Sequence, residues 1–333
     1  MDVLILGFSV TADNKGYVEE FCSAKDNNIV VSKVGLGGIQ PHHLAFFMED
    51  ILKSSQADIV VLEISTAGFR SFLSQELYVL SIFNILKVVL EKGAKPLIFD
   101  VPRSDVDPEN DWVADINESI CKQFDIQYVA AHVYFDEPID NYFRDGIHTN
   151  AKGATKLANI LRSEICLVEC EKFSPSVDSL PSQLRELRLY INDAPVNVDN
   201  YVEFTRSGYV GKFQQLGPNS TLELAMNNND FCHGVFYLMG PETGVFKLQF
   251  GREEKTITAL DAHCYYRRLG VYYFPAIQLE AKLLVKSNSE RPGVKLLKGE
   301  LSKGEVNNFI GGLLCSNIQD IDLLAKKLKS LLP

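Results

Sequence analysis

Three near-continuous apolar runs of strand length, at residues 3–6, 57–64 and 96–101, set the frame for the first half of the chain. A run without polar alternation reads as a strand covered on both faces, which is how parallel sheets flanked by helices are built. The segments between them carry helical apolar spacing. Residues 16–25 put Tyr17, Val18, Phe21 and Cys22 on one face, residues 41–52 carry Leu44, Phe47, Met48, Ile51 and Leu52, and residues 75–92 run to a natural stop at Gly93. Further strands are expected at 28–34 and 126–130, and further helices at 111–124 and 151–164. Strands alternating with helices in this way predict an α/β unit: an open, mostly parallel five-stranded sheet in a three-layer α/β/α arrangement. Ligands of such sheets bind beyond the C-terminal ends of the strands.

The pattern then changes. Residues 173–181 are rich in Ser and Pro, a linker signature. Beyond them, strand-like runs at 187–192, 196–206, 209–216, 220–226, 231–238, 244–250, 254–259, 265–274 and 278–287 are separated by turns such as Gly217-Pro218-Asn219. Short strands at near-regular spacing predict an all-β sandwich of jelly-roll type. The tail, 318–332, reads as an amphipathic helix. With 333 residues the chain exceeds what one core usually holds, about 250. The expected division is therefore 1–170 for the α/β domain, 171–182 for a linker and 183–333 for the sandwich with its terminal helix.

A net charge of -10 disfavours nucleic acid, whose binding is driven by basic side chains. The pairs Arg267-Arg268 and Lys326-Lys327 read as solvated faces. No apolar run reaches the roughly 20 residues of a membrane span, and the opening apolar stretch, with Asp2 before it, reads as a strand rather than a signal peptide. Seven scattered cysteines without Cys-x-x-Cys spacing suggest a reducing, cytoplasmic setting and no structural metal. The run Gly35-Leu36-Gly37-Gly38 lacks the spacing of a dinucleotide fingerprint or a P-loop, so no cofactor is expected.

Chemistry concentrates at Tyr142-Phe143-Arg144-Asp145-Gly146-Ile147-His148-Thr149-Asn150-Ala151-Lys152-Gly153, where an acid and an imidazole stand three positions apart just before a helix. A carboxylate that accepts from one ring nitrogen fixes the tautomer and leaves the other nitrogen free to take a proton. Such a base needs a hydroxyl or thiol to act on. The first strand ends at Gly7-Phe8-Ser9, which puts Ser9 where a buried strand gives way to a helix. The competing reading makes Ser9 a turn residue or N-cap and Asp145 a helix-entry residue. His42-His43 reads either as a substrate contact or, more readily, as a solvated helix start. Arg70 and Arg144 read as anion binders or partners of surface carboxylates. Tyr265-Tyr266 and Tyr272-Tyr273-Phe274 read as strand core or as platforms for sugar rings.

Taken together these segments resemble the SGNH (GDSL-like) hydrolase family over roughly residues 1–167. The family's first block, Gly-Asp-Ser, corresponds to Gly7-Phe8-Ser9, and its last, Asp-x-x-His, to Asp145-Gly146-Ile147-His148, followed by the matching Asn150 and Gly153. The resemblance implies Ser9 as nucleophile, His148 as base and Asp145 as the residue orienting it. It also implies an oxyanion hole built from the Ser9 N–H and a glycine N–H of the second block, either Gly35 or Gly38. The family's third block, Gly-x-Asn-Asp, is not matched. The chain reads Glu63-Ile64-Ser65-Thr66-Ala67-Gly68-Phe69-Arg70, which leaves the Thr66 or Ser65 hydroxyl, or two backbone donors alone, to do the work of the missing Asn. The implied activity is that of an esterase or O-acyltransferase. Its implied partners are an acylated carbohydrate, or an acyl donor with a sugar acceptor. The alternative is a catalytically decayed scaffold that binds carbohydrate.

Overall fold

A computed structural model describes residues 1–23, 29–170, 175–186, 189–192, 200–226, 229–279 and 282–333. Parts of several expected features lie outside the described residues: the end of the first helix and start of the second strand at 24–28, the first linker positions at 171–174, strand residues at 187–188 and 196–199, and residues 280–281. The chain divides into two compact units. The first comprises Met1–Arg185, Arg206–Tyr209 and Asp322–Pro333, the second Glu186–Thr205 and Val210–Ile321.

The first unit opens with β1 (Asp2–Gly7), α1 (Ser9–Ala12), α2 (Tyr17–Ser23), β2 (Val30–Gly35), α3 (Pro41–Leu52) and β3 (Ile59–Glu63). It continues with α4 (Gln75–Glu91), β4 (Lys95–Asp100), α5 (Trp112–Gln123), β5 (Gln127–Ala130) and α6 (Ala151–Cys170). Its five strands pair in the order β2-β1-β3-β4-β5, all parallel. Successive side chains of a strand point to opposite faces. Val3, Ile5, Ile59, Val61, Leu97, Phe99 and Val129 accordingly share one core with Tyr17, Val18 and Phe21 of α2 and Leu157, Leu161 and Ile165 of α6. Their neighbours Leu4, Leu6, Val60, Leu62 and Ile98 are equally buried. The helices α3 and α4 pack on each other, with Asn84 Nδ2 donating to the Ala45 carbonyl at 2.9 Å.

This strand order determines where a site can form. After β1 the chain crosses to β2 on one side, then returns to place β3 on the other, so the crevice beyond the C-terminal ends of β1 and β3 is not bridged by a direct connection. The segments that follow β1, β2 and β3 begin at Phe8, Leu36 and Ile64.

The second unit contains β6 (Leu189–Asn192), β7 (Tyr201–Arg206), β8 (Tyr209–Leu216), β9 (Thr221–Ala225), β10 (Phe231–Met239), β11 (Val245–Phe250), β12 (Glu253–Thr258), β13 (Arg268–Gln278), β14 (Lys282–Ser287) and β15 (Asn308–Ser316). One sheet runs β13-β10-β15-β8-β7, with β6 also paired to β15, and the other runs β12-β11-β14-β9. Val235, Tyr237, Phe274, Ile310 and Leu313 of the first sheet share a core with Leu222, Phe246, Leu248, Leu283 and Val285 of the second, which makes a β-sandwich. Strand β15, in the middle of its sheet, was not expected from the sequence because Gly311-Gly312 interrupts its pattern. A Cβ at Gly311 would come within 2.5 Å of Phe236 Cδ1 and 2.7 Å of Phe213 Cε1, so glycine is what lets two aromatic rings close over the strand.

The last helix, α7 (Ile321–Lys329), is shorter than expected, and from Asp322 onward it belongs to the first unit rather than to the sandwich. An amphipathic helix goes where its apolar stripe is covered, and Ala325 and Leu328 are both buried.

Candidate active site

Ser9 is half-buried and opens the four-residue helix α1, directly after β1. The turn is closed by the Ala12 N–H donating to the Phe8 carbonyl at 2.9 Å. Beneath it lies Glu63, the last residue of β3, with no exposed surface. Its Oε2 accepts from the Phe8 N–H at 3.3 Å and from Thr11 Oγ1 at 3.0 Å, and its Oε1 accepts from Thr66 Oγ1 at 2.6 Å. Burial pushes the Glu63 carboxyl up to about 7, against these hydrogen bonds, which pull the other way. Glu63 was not singled out by the sequence, where it reads as one polar interruption in an apolar strand.

His148 lies in a loop pinned on both sides. Phe143 and Thr149 form an antiparallel bridge, and the Arg144 N–H donates to the His148 carbonyl at 2.9 Å. Asp145 Oδ1 accepts from the backbone N–H groups of Ile147 at 2.8 Å and His148 at 2.7 Å, while His148 Nδ1 is 3.0 Å from Asp145 Oδ2. Burial opposes ionisation of Asp145, but the two N–H groups and the imidazole outweigh it and hold the carboxyl below its usual range. A carboxylate fixed in this way accepts a hydrogen bond from Nδ1–H, which keeps the proton on Nδ1 and presents Nε2 as the basic nitrogen. The loop passes straight into α6 through Asn150, whose Oδ1 accepts from the Gly153 N–H at 3.0 Å as an N-cap does.

The segment carrying Ser9 and the segment carrying His148 are linked. Arg144 NH2 is 2.8 Å from Asp13 Oδ2 just beyond α1, an ion pair in which the Asp13 side chain is largely buried. The loop after β4 joins the same assembly. Ser104 N–H donates to the Gly146 carbonyl at 3.0 Å, and Arg103 NH1 donates to the Thr66 carbonyl at 2.7 Å while its Nε and NH2 clamp Asp105. Loops following β1, β3 and β4 therefore meet the His148 loop at one edge of the sheet.

Two of the expected oxyanion donors are already committed. The Gly35 N–H donates to the Ser207 carbonyl at 2.8 Å, and a Cβ on Gly35 would fall 2.5 Å from the Ala12 Cα, so this glycine serves close packing of β2 against α1. The Thr66 hydroxyl is 1% exposed and is spent on Glu63. Ser65 is buried as well. Gly37 lies beside the serine: an added Cβ there would lie 3.9 Å from Ser9 Cα and 4.0 Å from Ser9 Cβ. Gly38 follows it, exposed, with φ of 89°. Among the described residues, neither the Gly37 nor the Gly38 N–H has a backbone acceptor.

The remaining candidates resolve in other ways. His42 and His43 are buried at 6% and 8%, not solvated, with ring centroids 3.9 Å apart, and His43 Nδ1 accepts from the Gln40 N–H at 3.3 Å to cap α3. Burial lowers His42 to about 4 and His43 well below its usual value. Arg70 pairs with Asp111 through both Nε and NH2 and donates to the Ser65 carbonyl at 2.7 Å. Phe274 is core, whereas Tyr266 and Tyr272 keep over a third of their surface exposed. Among the described residues no group of three or more His, Cys, Asp or Glu is placed to hold a metal, and no helix is long and apolar enough to cross a membrane.

No family profile matches the sequence, and no curated protein matches it significantly. Among solved structures, the chain is similar to a two-domain esterase active on acetylated mannans, at 14% identity over 95% of this chain and 90% of that one, with a TM-score of 0.64. A structure of such an esterase co-crystallised with mannopentaose gives the same identity and coverage with a TM-score of 0.65. The first unit has the SGNH-like fold. The turn after β3 holds the Glu63–Thr66 hydrogen bond.

Proposed function

We propose that this chain is a serine-dependent acyl-ester enzyme that removes an O-acetyl group from a carbohydrate. The observation that carries the reading is the Asp145-oriented His148 on a loop ion-paired to the turn that bears Ser9.

In the proposed cycle His148 Nε2 takes the Ser9 proton as Oγ bonds to the acyl carbon, and the carbonyl electron pair moves onto oxygen. The resulting oxyanion is met by the N–H of Ser9 and by those of Gly37 and Gly38. One such donor is typically worth about 3 kcal/mol in the transition state. Collapse breaks the ester C–O bond, and the departing sugar oxygen takes the proton from the imidazolium, leaving acyl-Ser9. Water, activated by the same imidazole, releases acetate and restores the serine. A sugar hydroxyl in place of water would give transfer.

The substrate class is supported by the two-domain esterase active on acetylated mannans, whose fold this chain shares at low identity. The deciding experiment follows acetate release from acetylated mannan and from p-nitrophenyl acetate, with a fluorophosphonate probe to locate the nucleophile. Wild-type protein is expected to turn over both and to carry the label on Ser9, and Ser9→Ala to lose turnover while remaining folded. Equal rates in the two proteins would leave carbohydrate binding without catalysis as the function. Acetate appearing on an added oligosaccharide rather than in solution would identify a transferase.

A further inference from the structure

We propose that Glu63 is a positioning residue whose carboxylate sets the geometry of the Ser9 turn and couples it to the loop after β3. This rests on the acyl-serine reading.

One fully buried carboxyl group receives donors from two separate segments. Phe8, immediately before Ser9, and Thr11, two residues after it, both donate to Oε2, and Thr66 donates to Oε1. The turn thus grips the carboxylate from both sides of the nucleophile. A chain that needed only to fill this space would place an apolar side chain there, because burying a carboxyl costs free energy unless its hydrogen bonds return it. Among the described residues no cation pairs with Glu63. The groups that face it are the Phe8 N–H and Thr11 from the turn, Thr66 from the β3 loop, and, hydrogen-bonded to Thr11 at 3.2 Å, the hydroxyl of Tyr17 from α2. Burial first, and then the negative charge of Glu63, raise Tyr17 well above its usual value, so Tyr17 stays a neutral neighbour.

The protonation state of Glu63 then matters to the site. Ionised, it accepts from all three donors. Protonated on Oε1, it must donate to Thr66 Oγ1, which reverses that single bond and leaves the Oε2 contacts with Phe8 and Thr11 in place. Gln at this position reproduces the second arrangement at every pH, since its amide oxygen can face Phe8 and Thr11 while its NH2 group donates to Thr66. With its carboxyl held up to about 7 by burial, Glu63 would pass between the two arrangements near neutral pH.

The test measures the rate constant for fluorophosphonate labelling of Ser9, together with kcat and KM for p-nitrophenyl acetate, from pH 5 to pH 9. It uses wild type, Glu63→Gln, Glu63→Ala and Thr66→Val, each checked for folding by circular dichroism. Glu63→Ala is expected to slow labelling and kcat at least tenfold with KM changed less than threefold. Glu63→Gln is expected to recover most of that loss but to lack one of the inflections seen in the wild-type pH profile, and Thr66→Val to move that inflection to higher pH, because the lost hydrogen bond held the carboxyl down. If Glu63→Ala does not fold, the comparison of Glu63→Gln and Thr66→Val with wild type still decides. Folded variants that label Ser9 at the wild-type rate with the wild-type pH profile would overturn the inference alone. A wild-type chain in which Ser9 takes no label would overturn the acyl-serine reading and this inference with it.

Discussion

Arg144 stands 2.8 Å from Asp13, joining the His148 loop to the Ser9 turn across more than a hundred residues of chain. Arg144 itself is partly exposed, and pairs of that kind add only about 0.2–1 kcal/mol to stability. Their effect on placement can be far larger, since a displacement of about 1 Å in a catalytic constellation can cost on the order of 100-fold in rate. Arg144→Ala and Asp13→Asn are each expected to lower kcat/KM at least tenfold while shifting the urea midpoint little. The double variant should be no slower than the worse single one, because both remove the same link. Additive losses would mean that the two side chains act separately.

Asp145→Asn should retain the loop, since an amide oxygen can still accept from the Ile147 and His148 N–H groups. It changes which nitrogen of His148 carries the proton, and a loss of kcat near 10⁴-fold is expected. Steady-state kinetics with p-nitrophenyl acetate provides the check, and a loss smaller than tenfold would assign the orienting role to another acid.

The two glycines of the β2 turn should behave differently. Gly35→Ala drives a methyl group into the Ala12 backbone and is expected to destabilise the protein by about 1–3 kcal/mol in urea titration. Gly37→Ala meets Ser9 only at ordinary contact distance and should leave stability within about 0.5 kcal/mol of wild type. Gly37→Val, with bulk added beside Ser9, should reduce kcat/KM.

Stability should also depend on pH through Glu63. Its folded carboxyl lies at about 7, above the ordinary 4.5, so between these values the native state holds a proton that the unfolded chain has released. Stability from this group is therefore complete below about pH 4.5 and declines as pH rises to about 7, by at most about 3 kcal/mol. Glu63→Gln should flatten that part of a pH series of urea midpoints, and an unchanged slope would exclude Glu63 as its source.

How much of this was legible in the sequence depended on whether a residue's partners lie near it in the chain. The strands of the first unit could be read because unbroken apolar runs such as residues 59–62 allow few alternatives. The spacing of Asp145 and His148 is short enough for a single loop to bring them together. The partners of Glu63 come from residues 52 and 55 positions away as well as three, and no local pattern announces such a convergence. The commitment of the Gly35 N–H was hidden for a related reason. Gly35 satisfies its N–H on Ser207, which belongs to a distant part of the sequence. In the sandwich, β15 escaped notice because its glycines fit rings supplied by other strands.

The placement of β1 between β2 and β3 bears on how the molecule is made. Within the first unit the strand that leads to Ser9 precedes both of its lateral neighbours, and the His148 loop, which is ion-paired to the Ser9 turn, follows all five strands. Pairings of such long sequence separation form slowly, because loop closure must be completed before they return any free energy. A nascent chain halted before His148 would therefore carry the Ser9 turn without the imidazole proposed to activate it, and the proposed acyl chemistry could start only once the His148 loop has left the tunnel.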